Sequence, residues 1–236
     1  IVEDLRVACE WERRSAYTYV RDAGHVAEVR SEADAARGAG LPAEFVTGTG
    51  LPYDVAGAVR VTGQAQFHPR KYLLALVDDL HSNGAHLHER TTVVALEEGE
   101  PCRLTAGTGA TVTARDVVIA THYPIFDRAL LFTRLTPRRE LVVAGTIDAD
   151  QDPDGMYITP EENTRSVRTA PYPEEGRRLL IVTGEHFTPG TGGPAERFDR
   201  LADWATEHFP GVRLTHRWAT QDNDSTDTVP LIGPFH

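Results

Sequence analysis

Hydrophobic and polar positions along this chain follow two periods, and the switches between them mark out its elements. Leu73, Leu76, Val77 and Leu80 recur at i, i+3, i+4 and i+7, which predicts a helix over 69–83 with one apolar face. Pro69 suits its first turn, where the missing N–H costs nothing, and Gly84 supplies a left-handed stop. A second helix is predicted over 194–209, where Phe198, Leu201, Ala202, Ala205 and His208 share a side and Pro210-Gly211 ends the run. The stretch 25–38 fits a solvent-facing helix ended by glycine, and 2–14 also carries charged and apolar residues at helical spacing. Strand-like runs fall at 17–20, 141–144, 156–159, 166–169, 179–183 and 214–218. Five more, at 85–89, 92–96, 103–106, 111–114 and 116–120, follow one another closely and read as a small meander. Pro42, Pro52 and glycines break 41–60 into loop with short extended pieces, and 221–228 reads as a polar loop. Many strands with few crossover helices predict an α+β fold. Its mixed or antiparallel sheet has helices on one face, with a helix and a small β-meander beside it.

Composition narrows the class. The 236 residues allow a large core, and a net charge of −11 argues against nucleic acid and anionic membrane surfaces as partners. Cys9 and Cys102 lack any metal-type spacing and fit a reduced, cytoplasmic protein. No apolar run approaches the ~18–20 residues of a membrane span. The chain opens on Ile1 inside patterned sequence and stops shortly after Gly233, so a piece of a longer protein is expected.

Motifs of self-sufficient chemistry are missing. Neither G-x-G-x-x-G nor a Walker A pattern occurs; "GTGLP" at Gly48 and "GTGAT" at Gly107 lack the third glycine. His86 and His88 would share a strand face, which suits a metal or a solvated surface, and no zinc spacing supports the metal. No G-x-S-x-G elbow gives weight to a Ser–His–Asp triad. "DNDSTD" (222–227) opens like a calcium loop but lacks its glycine and its closing glutamate. Two polar segments stand out: "VVIATHYP" (117–124), a β-branched run that ends in Thr121 and His122 and is stopped by Pro124, and "QDNDSTDTVPLIG" (221–233).

Five stretches carry a resemblance: "GQAQFHPRKYLLAL" (63–76), "NGAHLHERTTVVAL" (83–96), "DVVIATHYPIFDR" (116–128), "RLTPRRELVVA" (134–144) and "WATQDNDSTDTVPLIG" (218–233). In this order they resemble the FAD-dependent amine oxidoreductases of the D-amino-acid oxidase/glycine oxidase superfamily. The closest likeness is to the subset whose full-length chains add a Rieske iron–sulfur domain. The resemblance implies a substrate-binding domain in two parts, 1–68 and 123–236, the second starting the return to the flavin domain. Between them, 69–122 would supply a helix, meander and strand of the FAD domain. It implies FAD contacts from Val93, Thr121, His122, Thr226 and Asp227, and substrate contacts from Tyr157, Arg168 and His186. The 221–228 segment would then lie close to Thr121 and His122. The flavin carries the hard chemistry in that family, so no lone catalytic base is assigned. The Rieske ligand pairs and the dinucleotide fingerprint lie outside this chain, which implies a fragment inactive alone. Its partners would be a small amine or amino-acid substrate and, through the bared flavin-domain face, a second copy of itself. The alternative is a stand-alone binding or scaffold module derived from the same fold.

Overall fold

A computed structural model describes residues 1–123, 125–126, 130–162 and 164–233. In chain order the elements are β1 (Glu12–Val20), α1 (Val26–Gly38), β2 (Ala43–Val46), β3 (Gly57–Gln66), α2 (Pro69–Ser82), β4 (Val93–Glu97), β5 (Cys102–Ala106), β6 (Thr111–Ala114), β7 (Leu135–Asp148), β8 (Gly155–Ile158), β9 (Arg165–Pro171), β10 (Arg177–Phe187), α3 (Pro194–His208) and β11 (Arg213–Ser225). An eight-stranded sheet has the order β11-β7-β10-β9-β8-β1-β3-β2, and β4-β5-β6 form a separate three-stranded meander. The large sheet is mixed: β1 pairs parallel with β8 and antiparallel with β3. The chain divides into two compact units, 1–75 with 139–221, and 76–138 with 222–236. The boundaries expected from sequence lay at 68/69 and 122/123.

In the first unit, strand alternation decides what is buried. Tyr19, Leu141, Val143, Tyr157, Val167, Leu180 and Val182 project to one face, where Leu201, Ala205 and Phe209 close a core around α3. Their strand neighbours Val20 and Val59 project to the other face and pack with Val29, Ala33 and Ala43 of the α1 layer. The α+β class and mixed sheet therefore match expectation, with one refinement: α3 and α1 lie on opposite faces of the sheet. The α1 layer covers the β1-β3-β2 end; farther along that face Ile158 of β8 is exposed, whereas Val142 and Ala144 of β7 are buried.

Both helices predicted from period and caps form where expected. In α2 Pro69 is the first residue, and Gly84 (φ +82°) closes the C-terminus with Ala85 N–H donating to Leu80 O at 3.0 Å. Its predicted apolar face is not buried by this chain: Leu73 is 58% and Leu80 51% exposed.

The short extended pieces expected within 41–60 are β2 and the start of β3, which pair with each other. Three expectations need correction. The 2–14 segment is turns followed by β1, because from Glu12 onward it can pair with β3. The 85–89 and 116–120 runs are not strands: within the meander β6 pairs with β5, and neither run has a paired neighbour among the described residues; Val118 is 87% exposed. Pro124, the expected stop of the second run, lies outside the described residues. Finally, 221–225 continues β11 rather than opening a loop. An edge strand tolerates polar and charged side chains, and β7 offers a long partner.

Candidate functional site

The open face of the large sheet carries a pocket of about 250 Å³ lined by Ala16, Tyr17, Thr18, Val59, Val61, Met156, Tyr157, Ile158, Ser166, Val167 and Arg168. Strand register builds its floor in two rows. Val61 lies opposite Ala16, which lies beside Met156; Tyr157 faces Val167 and Ile158 faces Ser166, so Met156 runs alongside Arg168. The second row runs Val59, Thr18, Ile158, Ser166, Thr183. Small side chains at Ala16, Thr18 and Ser166 hollow the floor between the larger Val59, Val61, Met156 and Ile158.

Arg168 is the one charged residue of this lining. Burial in apolar surroundings pushes its guanidinium below its ordinary value. Among the described residues it has no carboxylate partner. Several other partly or fully buried guanidiniums have carboxylate partners. Arg14 reaches Asp152 at 3.1 Å, Arg165 reaches Glu185 at 2.6 Å, Arg178 reaches Glu12 at 2.8 Å, and Arg177 pairs with Asp148.

The two other residues expected at the substrate stand differently. Tyr157 is 3% exposed and stacks on Tyr17, with ring centroids 4.6 Å apart. Its hydroxyl donates to Pro153 O at 2.6 Å and accepts from Gly50 N–H at 3.2 Å, and burial raises its pKa. That hydroxyl is used inside the fold, while its neighbours Met156 and Ile158 face the pocket. His186 is exposed, beside the register shift of β10 between Gly184 and Phe187 and next to Glu185, whose φ is +53°.

The residues expected at the flavin lie in the second unit. Val93 opens β4, half-buried, opposite Ala106 in register. Thr121 and His122 are exposed, His122 with a left-handed φ of +62°. His122 Nε2 approaches Asp222 Oδ1 at 3.9 Å, so the two polar segments do meet, through Asp222. Thr226 Oγ1 donates to Arg134 O at 3.2 Å, and Asp227 accepts from Val229 N–H at 3.2 Å. Between Asp222 and Asp224, both ends of the Asn223 carboxamide are buried without a hydrogen-bond partner among the described residues. His86 and His88 sit exposed in a coil with their rings 6.3 Å apart, and no group of three or more metal-ligating side chains occurs among the described residues. No helix among them is long and apolar enough to cross a membrane.

Sequence reasoning missed the floor residues Ala16, Thr18, Met156, Ile158 and Ser166. They come from β1 and, far later in the chain, from the consecutive strands β8 and β9, and the available signal was faint: within "SVRT" (166–169), alternation puts Ser166 and Arg168 on the same side.

Comparison with known proteins places the arrangement. A protein of Bacillus subtilis (strain 168) named as a Rieske 2Fe-2S iron–sulfur protein, YhfW, is 25% identical over 237 residues, covering all of this chain and 46% of its own length. Among solved structures, glycine oxidase from Geobacillus kaustophilus superposes with a TM-score of 0.77 at 19% identity, over 99% of this chain and 66% of that one. L-Proline dehydrogenase from P. horikoshii superposes with a TM-score of 0.79 at 15% identity, over 100% of this chain and 66% of that one. The chain thus spans less than half of the curated relative and less than two thirds, by a narrow margin, of each structure. The family model described as DAO, FAD dependent oxidoreductase, matches residues 1–236, the entire chain, and the chain belongs to that family.

Proposed function

We propose that this chain is the substrate-binding portion of an FAD-dependent oxidoreductase that oxidises a small amine or amino acid, and that it is inactive by itself. The observation that carries the reading is the pocket on the open sheet face, lined by four strands and holding one unpaired cation. Family membership supplies the chemistry, and glycine oxidase and L-proline dehydrogenase, whose folds it shares, are named for amino-acid substrates.

The donor set suits FAD in part. Val93, Thr121, His122, Thr226 and Asp227 would border it, and the buried Asn223 carboxamide keeps a donor and an acceptor open in the same unit. When bound, FAD supplies the two-electron acceptor for amine oxidation. This chain's own part is to seat the substrate on the β1-β8-β9 floor and to exclude water with its apolar walls. A dinucleotide fingerprint is absent from the sequence, so stable FAD binding would require residues beyond it. A Rieske cluster, by analogy with the name of the Bacillus relative, would also sit outside this chain.

The test has two parts. The purified chain should show no stoichiometric absorbance in the flavin bands. The full reading frame that contains it, loaded with FAD, should bleach anaerobically on addition of at least one member of a panel of amines and amino acids. A full-length protein that takes up no flavin, or whose flavin no member reduces, would remove the oxidoreductase reading and leave the scaffold alternative.

A further inference from the structure

We propose that Met156 is a peroxide-responsive modification site of the sheet-face pocket: oxidation of its thioether to the sulfoxide creates a hydrogen-bond acceptor that engages the guanidinium of Arg168. The chemistry needs only the pocket and a small hydroperoxide, so it stands whether or not the parent protein oxidises amines.

Three observations carry it. The first is access. Sulfur occurs at Cys9, Cys102 and Met156 alone. Cys9 is fully buried, and Cys102 lies in the other unit with its Sγ donating to Gly99 O at 3.4 Å. Met156 is half-buried and lines the pocket beside the small Ala16, which leaves its sulfur open to a molecule as small as peroxide. The second is the neighbour. β8 and β9 pair antiparallel, with Tyr157 opposite Val167 and Ile158 opposite Ser166, and the same register sets Met156 opposite Arg168 on the pocket side. Side chains directly opposite stand about 4.5–5.5 Å apart at Cβ, within the span of these two long stems. Arg168 has no carboxylate partner among the described residues and so keeps donors to offer. The third is the change in chemistry. A thioether is a weak acceptor, whereas a sulfoxide oxygen is strongly polar and accepts a charge-assisted bond from a guanidinium. In the reaction a sulfur lone pair attacks the peroxide. An S–O bond forms, the O–O bond breaks and the thioether loses two electrons; the leaving hydroxide takes the proton of the transferred oxygen and departs as water. Sulfur becomes a stereocentre, and in a pocket wall its two lone pairs are unequally exposed, so one epimer forms in excess. Reductases specific to each epimer reverse the step, which makes the mark erasable.

Met156 is the only methionine of the chain, so methionine labelled with ¹³C in its methyl group gives one signal, from the pocket wall. Hydrogen peroxide should replace it with sulfoxide signals, one epimer exceeding the other at least about threefold, while the chain oxidised in urea should give the two equally. Arg168→Gln should move the methyl signal further in the sulfoxide form than in the thioether form, because only the sulfoxide bonds the guanidinium. Arg168→Lys should retain part of the parent's sulfoxide position. Circular dichroism before and after oxidation checks that parent and variants stay folded, and the epimer ratio of the parent needs no variant at all. Four results would each overturn the assignment: a folded parent that resists peroxide able to oxidise the urea-unfolded chain, equal epimers in the folded parent, unfolding of the parent on oxidation, or an Arg168→Gln displacement alike in thioether and sulfoxide.

Discussion

At the residue scale, Tyr157 and Arg168 lie on neighbouring strands in different settings: the tyrosine hydroxyl is bonded inside the fold, and the guanidinium lines the pocket. The Tyr157 hydroxyl bridges Pro153 O and Gly50 N–H and so ties the 48–52 loop to the start of β8. Only glycine fits at position 50, because a Cβ there would run into the Pro153 carbonyl. Tyr157→Phe removes a donor and an acceptor from a buried bridge and should destabilise the chain by about 1–2 kcal/mol. Urea denaturation measures this, and a variant as stable as the parent would show that the bridge adds nothing to folding. Arg168 was named from the sequence through the family resemblance, and its place in the pocket lining follows from strand pairing. The facing of Tyr157 was not legible. Alternation assigns two sides to "GMYIT" (155–159) but does not say which side is core, and that is fixed only by pairing with β1 and β9.

At the element scale, β1 begins in an ion-pair network that fastens it to the β9–β10 hairpin. Glu12 accepts from Arg178 twice at 2.8 Å and from Gln66 Nε2 at 2.8 Å, while Arg14 and Arg178 both reach Asp152 at 3.1 Å. Hydrogen bonds from Arg178, above all, hold the Glu12 carboxyl down at about 2 against its usual 4.5, despite partial burial. A folded-state pKa below the unfolded one gives stability that is complete above about pH 4.5 and fades as pH falls towards 2. Glu12→Gln should therefore cost about 2–3 kcal/mol at pH 7, and the gap between parent and variant should narrow between pH 5 and pH 2.5. Urea midpoints across that range give the comparison, and a gap independent of pH would show that the carboxylate is not coupled to folding. The elements themselves were unevenly readable. Both α2 and α3 announced themselves because period and caps are local. β11 did not, because its "QDNDS" end (221–225) is extended only through its place beside β7, a partner some eighty residues earlier in the chain. The 117–120 run failed in the other direction: strong β propensity cannot make a strand without a neighbour.

Across the whole molecule, burial is unequal. The sheet core of β1, β3, β9 and β10 holds fully buried residues such as Tyr19, Ala58, Val167, Leu180 and Val182. α2 holds none, and in the other unit Leu87, Val94, Val112 and Ile232 are exposed. Elements with few buried apolar contacts open at low free energy. Native-state hydrogen exchange should find amides of α2 and of the β4-β5-β6 meander at least about tenfold less protected than those of β9 and β10. Equal protection would mean that something outside the chain, such as a second copy, covers them, and sedimentation would then detect the dimer.

The parallel pairing of β1 with β8 has a consequence for how the protein is made. Ser15 meets Gly155 and Thr18 meets Ile158, so a strand from the very start of the chain waits for one from its second half. Ribosomes add about 5–20 residues per second, which leaves the inner edge of the β1-β3-β2 ribbon unpaired for on the order of ten seconds. An unpaired edge accepts any extended segment that reaches it. The nascent first half is thus the stage most exposed to joining a neighbouring chain, and its yield in the cell is set by how well that edge is shielded until β8 emerges.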